Sequence, residues 1–298
     1  MSFRVLLASL AISLSVAGCA TKPPESAASL KTAYAASPTE TKALKANDPV
    51  SMEPSSWGGT QTAELDPVTT HSVFGHHLAG RTLYVSSLSD IKLADKEVIL
   101  TFDDGPMPGK TEHILAALDE FGVKASFMMV GEMAQAHPEI ARKVAEDGNT
   151  IGSHTFKHPD LDKMSFDQAM AEIQRGENAV VKAVGSDVNF FRFPYLADSK
   201  KLRAAVAMRD LVVMDVDVDS KDYFSVTPVA VMQRTMNELH KRGRGIILMH
   251  DIHTRTAAML PTLLNRLERE GYKVVTLRYN KRPVSSDVVA QADTRTIR

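Results

Sequence analysis

From residue 96 onward, short apolar runs alternate with amphipathic stretches, and this alternation limits the fold more than any other feature of the sequence. Short apolar runs between turn residues are typical of buried strands, and longer stretches with a helical period are typical of helices. Seven strands are expected, at 98–102, 124–130, 149–153, 189–193, 211–216, 244–249 and 273–277. Six helices are expected between them, at 111–121, 137–147, 166–184, 199–209, 227–242 and 256–270. Repeated strand–helix units predict an α/β fold whose parallel sheet is either open or closed into a barrel.

The expected helices have well-marked ends. Ser165 and Gln168 have the spacing of a capping box at the start of the third helix. A glycine after the last helical residue readily adopts the left-handed conformation that closes a helix. Five glycines occupy such positions: Gly122, Gly148, Gly185, Gly243 and Gly271.

Polar residues follow five of the expected strands. These segments are TFDDGP (101–106), HTFKH (154–158), RFPY (192–195), DVDSKDY (217–223) and HDIH (250–253). Asp, Gly and Pro are turn formers, so TFDDGP alone also fits an ordinary turn. Turn formation does not explain why acids, histidines and an arginine follow so many strands. Because the carboxyl ends of parallel strands share one rim, these side chains predict a functional site there.

A metal site is one use of this rim. His154 and His158 are four residues apart, so in a helical turn they share a face. An H-x-x-x-H pair by itself is a weak signal, because most such pairs are surface residues. Two imidazoles and a carboxylate at the same rim, however, fit a divalent metal with open coordination positions. Asp103 and Asp104 are adjacent on an extended strand, so we expect their side chains to point to opposite sides and to have different roles.

Taken together, the five segments resemble the polysaccharide deacetylase family with the NodB homology domain, carbohydrate esterase family 4. TFDDGP resembles its first motif, HTFKH its H-(S/T)-x-x-H motif, and RFPY its R-x-P-Y motif. DVDSKDY resembles D-x-x-D-W, and LMH (248–250) resembles L-x-H. The resemblance covers about residues 96–280 and preserves the order of the motifs. It implies a distorted (β/α) barrel with about seven parallel strands.

The resemblance also implies roles for individual residues. Asp104, His154 and His158 would be the metal ligands, and Asp103 the catalytic base. Arg192 would orient Asp103, and His250, paired with Asp222, would be the general acid. The Tyr195 backbone N–H would line an oxyanion hole, and Leu248 would form the floor of the acetyl pocket. Tyr223 departs from the pattern, because the family has tryptophan as the aromatic wall at this position. The metal in this family is most often zinc.

The N-terminal sequence predicts export and lipidation. Arg4 is followed by an apolar run of 13 residues, Val5 to Ala17, shorter than the roughly 20 residues that a membrane-spanning helix needs. VAGC (16–19) resembles a lipobox, so Cys19, the only cysteine, is expected to carry lipid after removal of residues 1–18. With Ala20 next, the sorting pattern implies the outer membrane, facing the periplasm.

The remaining segments complete the expected organisation. Residues 19–67, rich in Ala, Ser, Thr, Pro and Lys, are expected to be a flexible tether. They are followed by an N-terminal extension (68–95), the deacetylase domain (96–281) and a C-terminal tail (282–298). The net charge of -1 provides no long-range attraction to nucleic acid. No protein partner is evident.

The expected function is hydrolysis of N-acetyl groups on an N-acetylglucosamine polymer, with peptidoglycan favoured by the expected location beside the cell wall. Chitooligosaccharide deacetylation and acetylxylan esterase activity at the same site are alternatives. A non-catalytic glycan-binding lipoprotein with the same fold is a third, although such a protein should lack the base, a ligand or the acid, and this sequence has them all.

Overall fold

The computed structural model describes residues 77–280. In this range the chain forms an α/β fold with nine strands and seven helices. The strands are β1 Ala79–Val85, β2 Glu97–Asp103, β3 Ser126–Met129, β4 Thr150–Ser153, β5 Phe190–Phe191, β6 Val212–Val213, β7 Val218–Asp219, β8 Gly245–His250 and β9 Lys273–Tyr279. The helices are α1 Thr111–Glu120, α2 Gly131–Ala136, α3 Pro138–Glu146, α4 Phe166–Val184, α5 Lys200–Ala207, α6 Pro228–Arg242 and α7 Thr254–Arg269.

All strand pairs in this range are parallel. Seven strands follow one another in the order β7-β8-β2-β3-β4-β5-β6. On the edge of β2 away from β8, β9 pairs with residues 97–98 and β3 pairs with residues 101–103. β1 pairs with β9. The expected distorted barrel with about seven parallel strands is therefore confirmed.

The seven expected strands and six expected helices are all present, and three short elements are additional. β1 lies within 68–95, where no strand was expected, because most of its side chains are exposed and no long apolar run marks it. β7 has only two residues and branches from β8. α2 follows β3 directly and was not expected.

The helix-end signals are confirmed. Ser165 accepts a hydrogen bond from the Gln168 N–H, and the capping box is formed. Each of the five expected closing glycines has a positive φ, between 63° and 77°. None of the helices in residues 77–280 combines the length and the apolar character that crossing a bilayer requires.

Alternate residues of the strands belong to two separate hydrophobic layers. Leu100 and Phe102 of β2 pack with residues of the surrounding helices. Ile99, between them, packs with strand residues such as Met128, Phe190 and Ile246 inside the barrel. Since side chains alternate along a strand, Asp103 continues the inner face of β2. Asp103 therefore lies in the barrel interior, at the carboxyl end of β2.

Candidate active site

The site lies at the carboxyl ends of the strands, as expected for parallel strand–helix units. Asp103 ends β2, and His250 ends β8 directly opposite it in the strand register. Arg192 immediately follows β5, and its N–H donates to the carbonyl of Ser153 on β4. These residues share the inner face with Ile99, Ile246 and Phe190, so the pleat of each strand directs its polar residue into the same space.

Asp103 and Arg192 form a buried ion pair. The Arg192 Nη1 donates to Asp103 Oδ1 at 2.6 Å and to Thr101 Oγ1 at 2.8 Å. Its Nε donates to the Met214 carbonyl at 3.1 Å, and its Nη2 donates to the Asp215 carbonyl at 3.3 Å. Arg192 is only 1% exposed, yet each nitrogen of the guanidinium has an acceptor. A planar guanidinium with all its nitrogens bonded has little freedom to move, so it fixes the position of Asp103.

The three expected metal ligands lie together. Asp104 Oδ1 is 3.7 Å from His154 Nε2 and 3.5 Å from His158 Nε2. One ligand atom from each of the three residues can be chosen so that all lie within 4.8 Å of one another. The two imidazole rings meet edge to face with centroids 4.7 Å apart.

The backbone that brings these ligands together differs from the expectation in two places. His154 and His158 do not lie on a helical turn; they belong to a loop in which Thr155 and His158 have positive φ values of 67° and 56°. Asp104 has a φ of 78°, which ends the extended backbone after Asp103. The two acids therefore do not point to opposite sides, because His154 Nε2 is 3.7 Å from both Asp103 Oδ2 and Asp104 Oδ1.

The geometry of these residues fits a divalent metal. Asp104 Oδ1 is buried and has no hydrogen-bond donor, a costly condition for a carboxylate that a cation would relieve. His154 Nδ1 lies 2.8 Å from the Arg192 carbonyl and must donate to it, so the lone pair is left on Nε2, facing Asp104. Burial, together with His154, lowers the pKa of His158 to about 4, so this imidazole is neutral at pH 7.

His250 and Asp222 form the second half of the site. The His250 Nδ1 lies 2.7 Å from Asp222 Oδ1, and the His250 backbone N–H donates to Asp222 Oδ2 at 2.7 Å. Thr256 donates its hydroxyl to the same Oδ2 at 2.6 Å. Burial lowers the pKa of His250, but the carboxylate of Asp222 opposes this effect and raises the pKa to about 10. His250 is therefore an imidazolium at neutral pH.

Asp222, His250 and His253 also offer ligand atoms within 4.8 Å of one another. Unlike Asp104, however, Asp222 has hydrogen-bond donors on both of its carboxylate oxygens. His253 is half-buried, with its ring 5.8 Å from that of His250. This second cluster is therefore a hydrogen-bonded pair of His250 and Asp222, and neither carboxylate oxygen is left without a donor for a cation to bind.

The remaining expected site residues surround these two groups. Tyr195 has a φ of 59°, and its ring lies edge-on to His158 with centroids 4.6 Å apart. Leu248 lies on β8 two residues before His250 and is buried. The Tyr223 ring is 5.7 Å from the His250 ring, and its hydroxyl donates to Asp219 Oδ2 at 2.8 Å. Cys19 lies outside the described residues.

Comparison with known proteins identifies the family. The family model described as polysaccharide deacetylase matches residues 90–213. Over 192 residues the chain is 30% identical to a chitin deacetylase of Colletotrichum lindemuthianum, covering 60% of this chain and 77% of that relative. The chain belongs to the polysaccharide deacetylase family.

Two further relatives of this polysaccharide deacetylase family member have names that refer to peptidoglycan. One is the peptidoglycan-N-acetylglucosamine deacetylase PgdA of Listeria monocytogenes, 32% identical over 183 residues that cover 61% of this chain and 38% of the relative. The other is the solved structure of a peptidoglycan deacetylase of Bdellovibrio bacteriovorus, with 37% identity and a TM-score of 0.60 over 64% of this chain and 54% of that one. The chain therefore spans only about two fifths to a little over half the length of these two relatives.

Asp251 is a buried residue that supports the polysaccharide deacetylase site and that the sequence did not single out. Its Oδ1 accepts from the Gly105 N–H at 2.8 Å, and its Oδ2 accepts from the Thr111 hydroxyl at 2.7 Å. A Cβ added at Gly105 would lie 2.0 Å from this carboxylate, so only glycine fits beside it. Burial raises the pKa of Asp251 to about 7. Its place next to His250 in HDIH was the available signal.

The acids in DVDSKDY and the preceding Asp215 have separate roles in the structure. Asp215 pairs with Arg203, whose Nη2 lies 2.8 Å from Asp215 Oδ1. Asp217 accepts from the Ile246 N–H at 2.9 Å, at the start of β8 and away from His250. Asp219 anchors the hydroxyl of Tyr223. These contacts give Asp215 and Asp217 structural roles.

Proposed function

We propose that this protein is a metal-dependent N-deacetylase that hydrolyses the N-acetyl group of N-acetylglucosamine units in a polysaccharide and releases acetate. One observation carries the proposal. A buried carboxylate oxygen without a hydrogen-bond donor, Asp104 Oδ1, faces two imidazoles, while a protonated imidazole, His250, lies on the neighbouring strand end. The carboxylate and the two imidazoles would hold an electrophilic metal, and the protonated imidazole would supply the proton that the leaving amine needs; a metal-dependent amide hydrolase uses both.

Asp104, His154 and His158 would hold the metal. When bound, a divalent ion supplies Lewis-acid polarisation of the acetyl oxygen and lowers the pKa of water at an open coordination position. We propose zinc, because two imidazoles and one carboxylate are a common catalytic zinc set. His154 contributes its Nε2 because its Nδ1 is committed to the Arg192 carbonyl.

Asp103 would act as the general base. Its Oδ1 is held by Arg192 at 2.6 Å, and its Oδ2 remains beside His154 at 3.7 Å. Oδ2 is therefore the oxygen that would accept the proton of the attacking water. It lies next to the metal ligands but need not bind the metal itself. Arg192 keeps Asp103 in position during this transfer through its further bonds to Thr101 and the Met214 carbonyl.

His250 would act as the general acid. An amine leaves readily only when it is protonated, and His250 carries the required proton at neutral pH because Asp222 raises its pKa. Asp222 accepts at Oδ1, so the His250 Nε2–H is free to donate to the nitrogen of the scissile amide. The Tyr195 backbone N–H would stabilise the tetrahedral oxyanion, and Leu248 would contact the acetyl methyl group.

Peptidoglycan is the substrate we propose. The Listeria and Bdellovibrio relatives are named for peptidoglycan, and a lipid on Cys19 would place the enzyme in the outer membrane, facing the periplasm and its cell wall. Chitin oligomers are the next candidate, since the Colletotrichum relative is named a chitin deacetylase. Acetylated xylan would require the same chemistry on an ester.

Acetate release from peptidoglycan, N-acetylglucosamine oligomers and acetylated xylan, each with and without a chelator, tests the proposal. The expected result is chelator-sensitive release from the N-acetylated polymers, fastest with peptidoglycan. The Asp217→Asn variant is a matched control for Asp103→Asn, because Asp217 lies at the opposite end of β8 from His250. No acetate from any of these substrates after metal loading would contradict the activity and favour a glycan-binding protein.

A further inference from the structure

Two exposed aromatic residues follow the general acid, each ring next to the one before it. Tyr223 is 37% exposed and Phe224 is 51% exposed. The Tyr223 ring lies 5.7 Å from the His250 ring on one side and 4.8 Å from the Phe224 ring on the other. We call Tyr223 and Phe224 the aromatic row. It begins at the proton donor and ends at a ring that the catalytic roles described above do not use.

The backbone that carries the aromatic row is held by two arginines from neighbouring helices. Arg255, on α7, donates from Nη1 to the carbonyl oxygens of Asp222 and Phe224, at 2.7 Å each. Arg234, on α6, donates from Nη1 to the carbonyl of Lys221 at 3.1 Å and to that of Ser220 at 3.3 Å. Four carbonyl groups of one short loop are thus fixed by guanidinium groups. Phe224 is exposed on a backbone that is already ordered.

The orientation of Tyr223 is fixed as well. Its hydroxyl donates to Asp219 Oδ2 at 2.8 Å, and the Lys221 N–H donates to Asp219 Oδ1 at 2.9 Å. Tyr223 is therefore held through its hydroxyl, and Phe224 is held through its backbone carbonyl. Binding to such a surface needs little further ordering of the protein, which leaves more of the contact energy for affinity.

A single exposed apolar side chain on a protein surface needs no explanation. Met208, at the C-terminal end of α5, is 81% exposed and lies outside the row. Phe224 differs from Met208 because its ring packs against the Tyr223 ring, which in turn lies next to His250. A pyranose ring has a flat face of C–H groups that packs well on an aromatic ring, and aromatic side chains bury a large area in such contacts.

We propose that Phe224, with Tyr223, forms a platform for the sugar next to the one that is deacetylated. This inference rests on the proposed function, because it places the reacting sugar at His250. The occupant is the neighbouring pyranose of the same polymer. The platform would make affinity depend on chain length: a longer glycan reaches Phe224, and a short one occupies only the reaction site.

The test compares Phe224→Ala with the wild type on a β-1,4-linked pentamer of N-acetylglucosamine and on the N-acetylglucosamine monomer. For the pentamer, the variant should show a KM and a dissociation constant raised about tenfold, with kcat nearly unchanged. For the monomer, both constants should stay within about twofold of the wild type, since a single sugar occupies the reaction site and has no neighbouring pyranose to contact the platform. Phe224→Trp should keep the wild-type affinity for the pentamer, and Met208→Ala is the matched surface control.

Calorimetric binding of the pentamer separates the failure of this inference from the failure of the proposed function. If the wild type binds the pentamer tenfold more tightly than Phe224→Ala but no variant releases acetate, the platform stands and the deacetylase activity is wrong. Equal affinities of the wild type and Phe224→Ala for the pentamer, an equal loss of affinity for the monomer, or no binding of the pentamer by the wild type would overturn the platform. Thermal unfolding of Phe224→Ala at the wild-type temperature excludes a folding defect.

Discussion

The two halves of the site use the same residue type in opposite charge states. On the ligand side, which comprises Asp104, His154 and His158, burial and His154 lower the pKa of His158 to about 4. On the acid side, which comprises His250 and Asp222, the carboxylate outweighs the effect of burial and raises the pKa of His250 to about 10. The difference comes from how each carboxylate is used. Asp104 is shared between two imidazoles at 3.5 and 3.7 Å, whereas Asp222 bonds directly to one imidazole at 2.7 Å.

This contrast shows how neighbouring histidines on one rim acquire different chemistry. A neutral imidazole with a free lone pair can bind a metal, and an imidazolium cannot. Asp104 keeps an oxygen without a donor, while every oxygen of Asp222 is bonded. Asp104 therefore keeps a carboxylate oxygen for a cation, whereas the charge of Asp222 is already balanced by the protonated His250.

Removal of the metal should have the largest effect. Exhaustive chelation should abolish acetate release, because the ligand side then lacks its electrophile. It should also lower the unfolding temperature, since a ligand that binds only the folded state stabilises it. Adding zinc back should restore both properties. Acetate release that persists in protein shown by elemental analysis to be metal-free would contradict a catalytic metal at Asp104, His154 and His158.

Asp103→Asn should have the next largest effect. The asparagine keeps the size of the side chain and a partner for Arg192, but it cannot accept the proton of water. Turnover should fall roughly 10²- to 10⁴-fold, the range typical of a lost general base, while bound metal persists. Asp217→Asn should retain near-normal turnover. If Asp103→Asn lost its metal as well, Asp103 would belong with the ligands.

Asp222→Asn tests whether this carboxylate keeps His250 protonated. Without the carboxylate, His250 loses the largest effect that raises its pKa, while burial still lowers it and Asp104 and Asp103 still raise it, so its pKa should fall from about 10 toward its ordinary value. Since the proton donor is lost above its pKa, the basic limb of the kcat/KM profile should move to lower pH. Turnover at pH 8 should fall about 10- to 100-fold. A pH profile identical to that of the wild type would show that this pair does not set the acid limb.

The smallest expected effect lies beneath the site, at Thr101. Its hydroxyl accepts from Arg192 and donates to the Ile247 carbonyl at 2.8 Å. Thr101→Val leaves both groups short of a partner and should lower the free energy of unfolding by about 1–3 kcal/mol. Turnover should fall less than about tenfold, because Arg192 keeps its direct bond to Asp103. Thr101→Ser, measured in the same denaturant titration, should remain close to the wild type.

The sequence predicted the elements that have strong local signals. The alternation of β2 and β8 with long amphipathic helices is visible because buried parallel strands are continuous apolar runs. β1 escaped because it is an exposed edge strand whose pairing with β9 depends on contacts about 190 residues away in the chain. Two-residue β7 has no periodicity to detect.

For the site, the sequence predicted which residues meet but not the backbone that brings them together. Strand ends at one rim are a topological consequence, so Asp103, His154 and His250 could be grouped without a structure. The positive φ values of Asp104 and His158 could not be foreseen, because neither residue is glycine. Asp251 and Thr256 act through hydrogen bonds to groups far away in sequence, which no local pattern records.

Bound metal and acetate release, measured in parallel for His154→Ala and His250→Ala, test the division of the site most directly. We expect His154→Ala to lose both metal and activity, because it removes a neutral ligand. We expect His250→Ala to keep a full equivalent of metal and to lose most of its acetate release. Loss of metal in His250→Ala, or retention of metal and activity in His154→Ala, would contradict the assignment of a ligand side and an acid side.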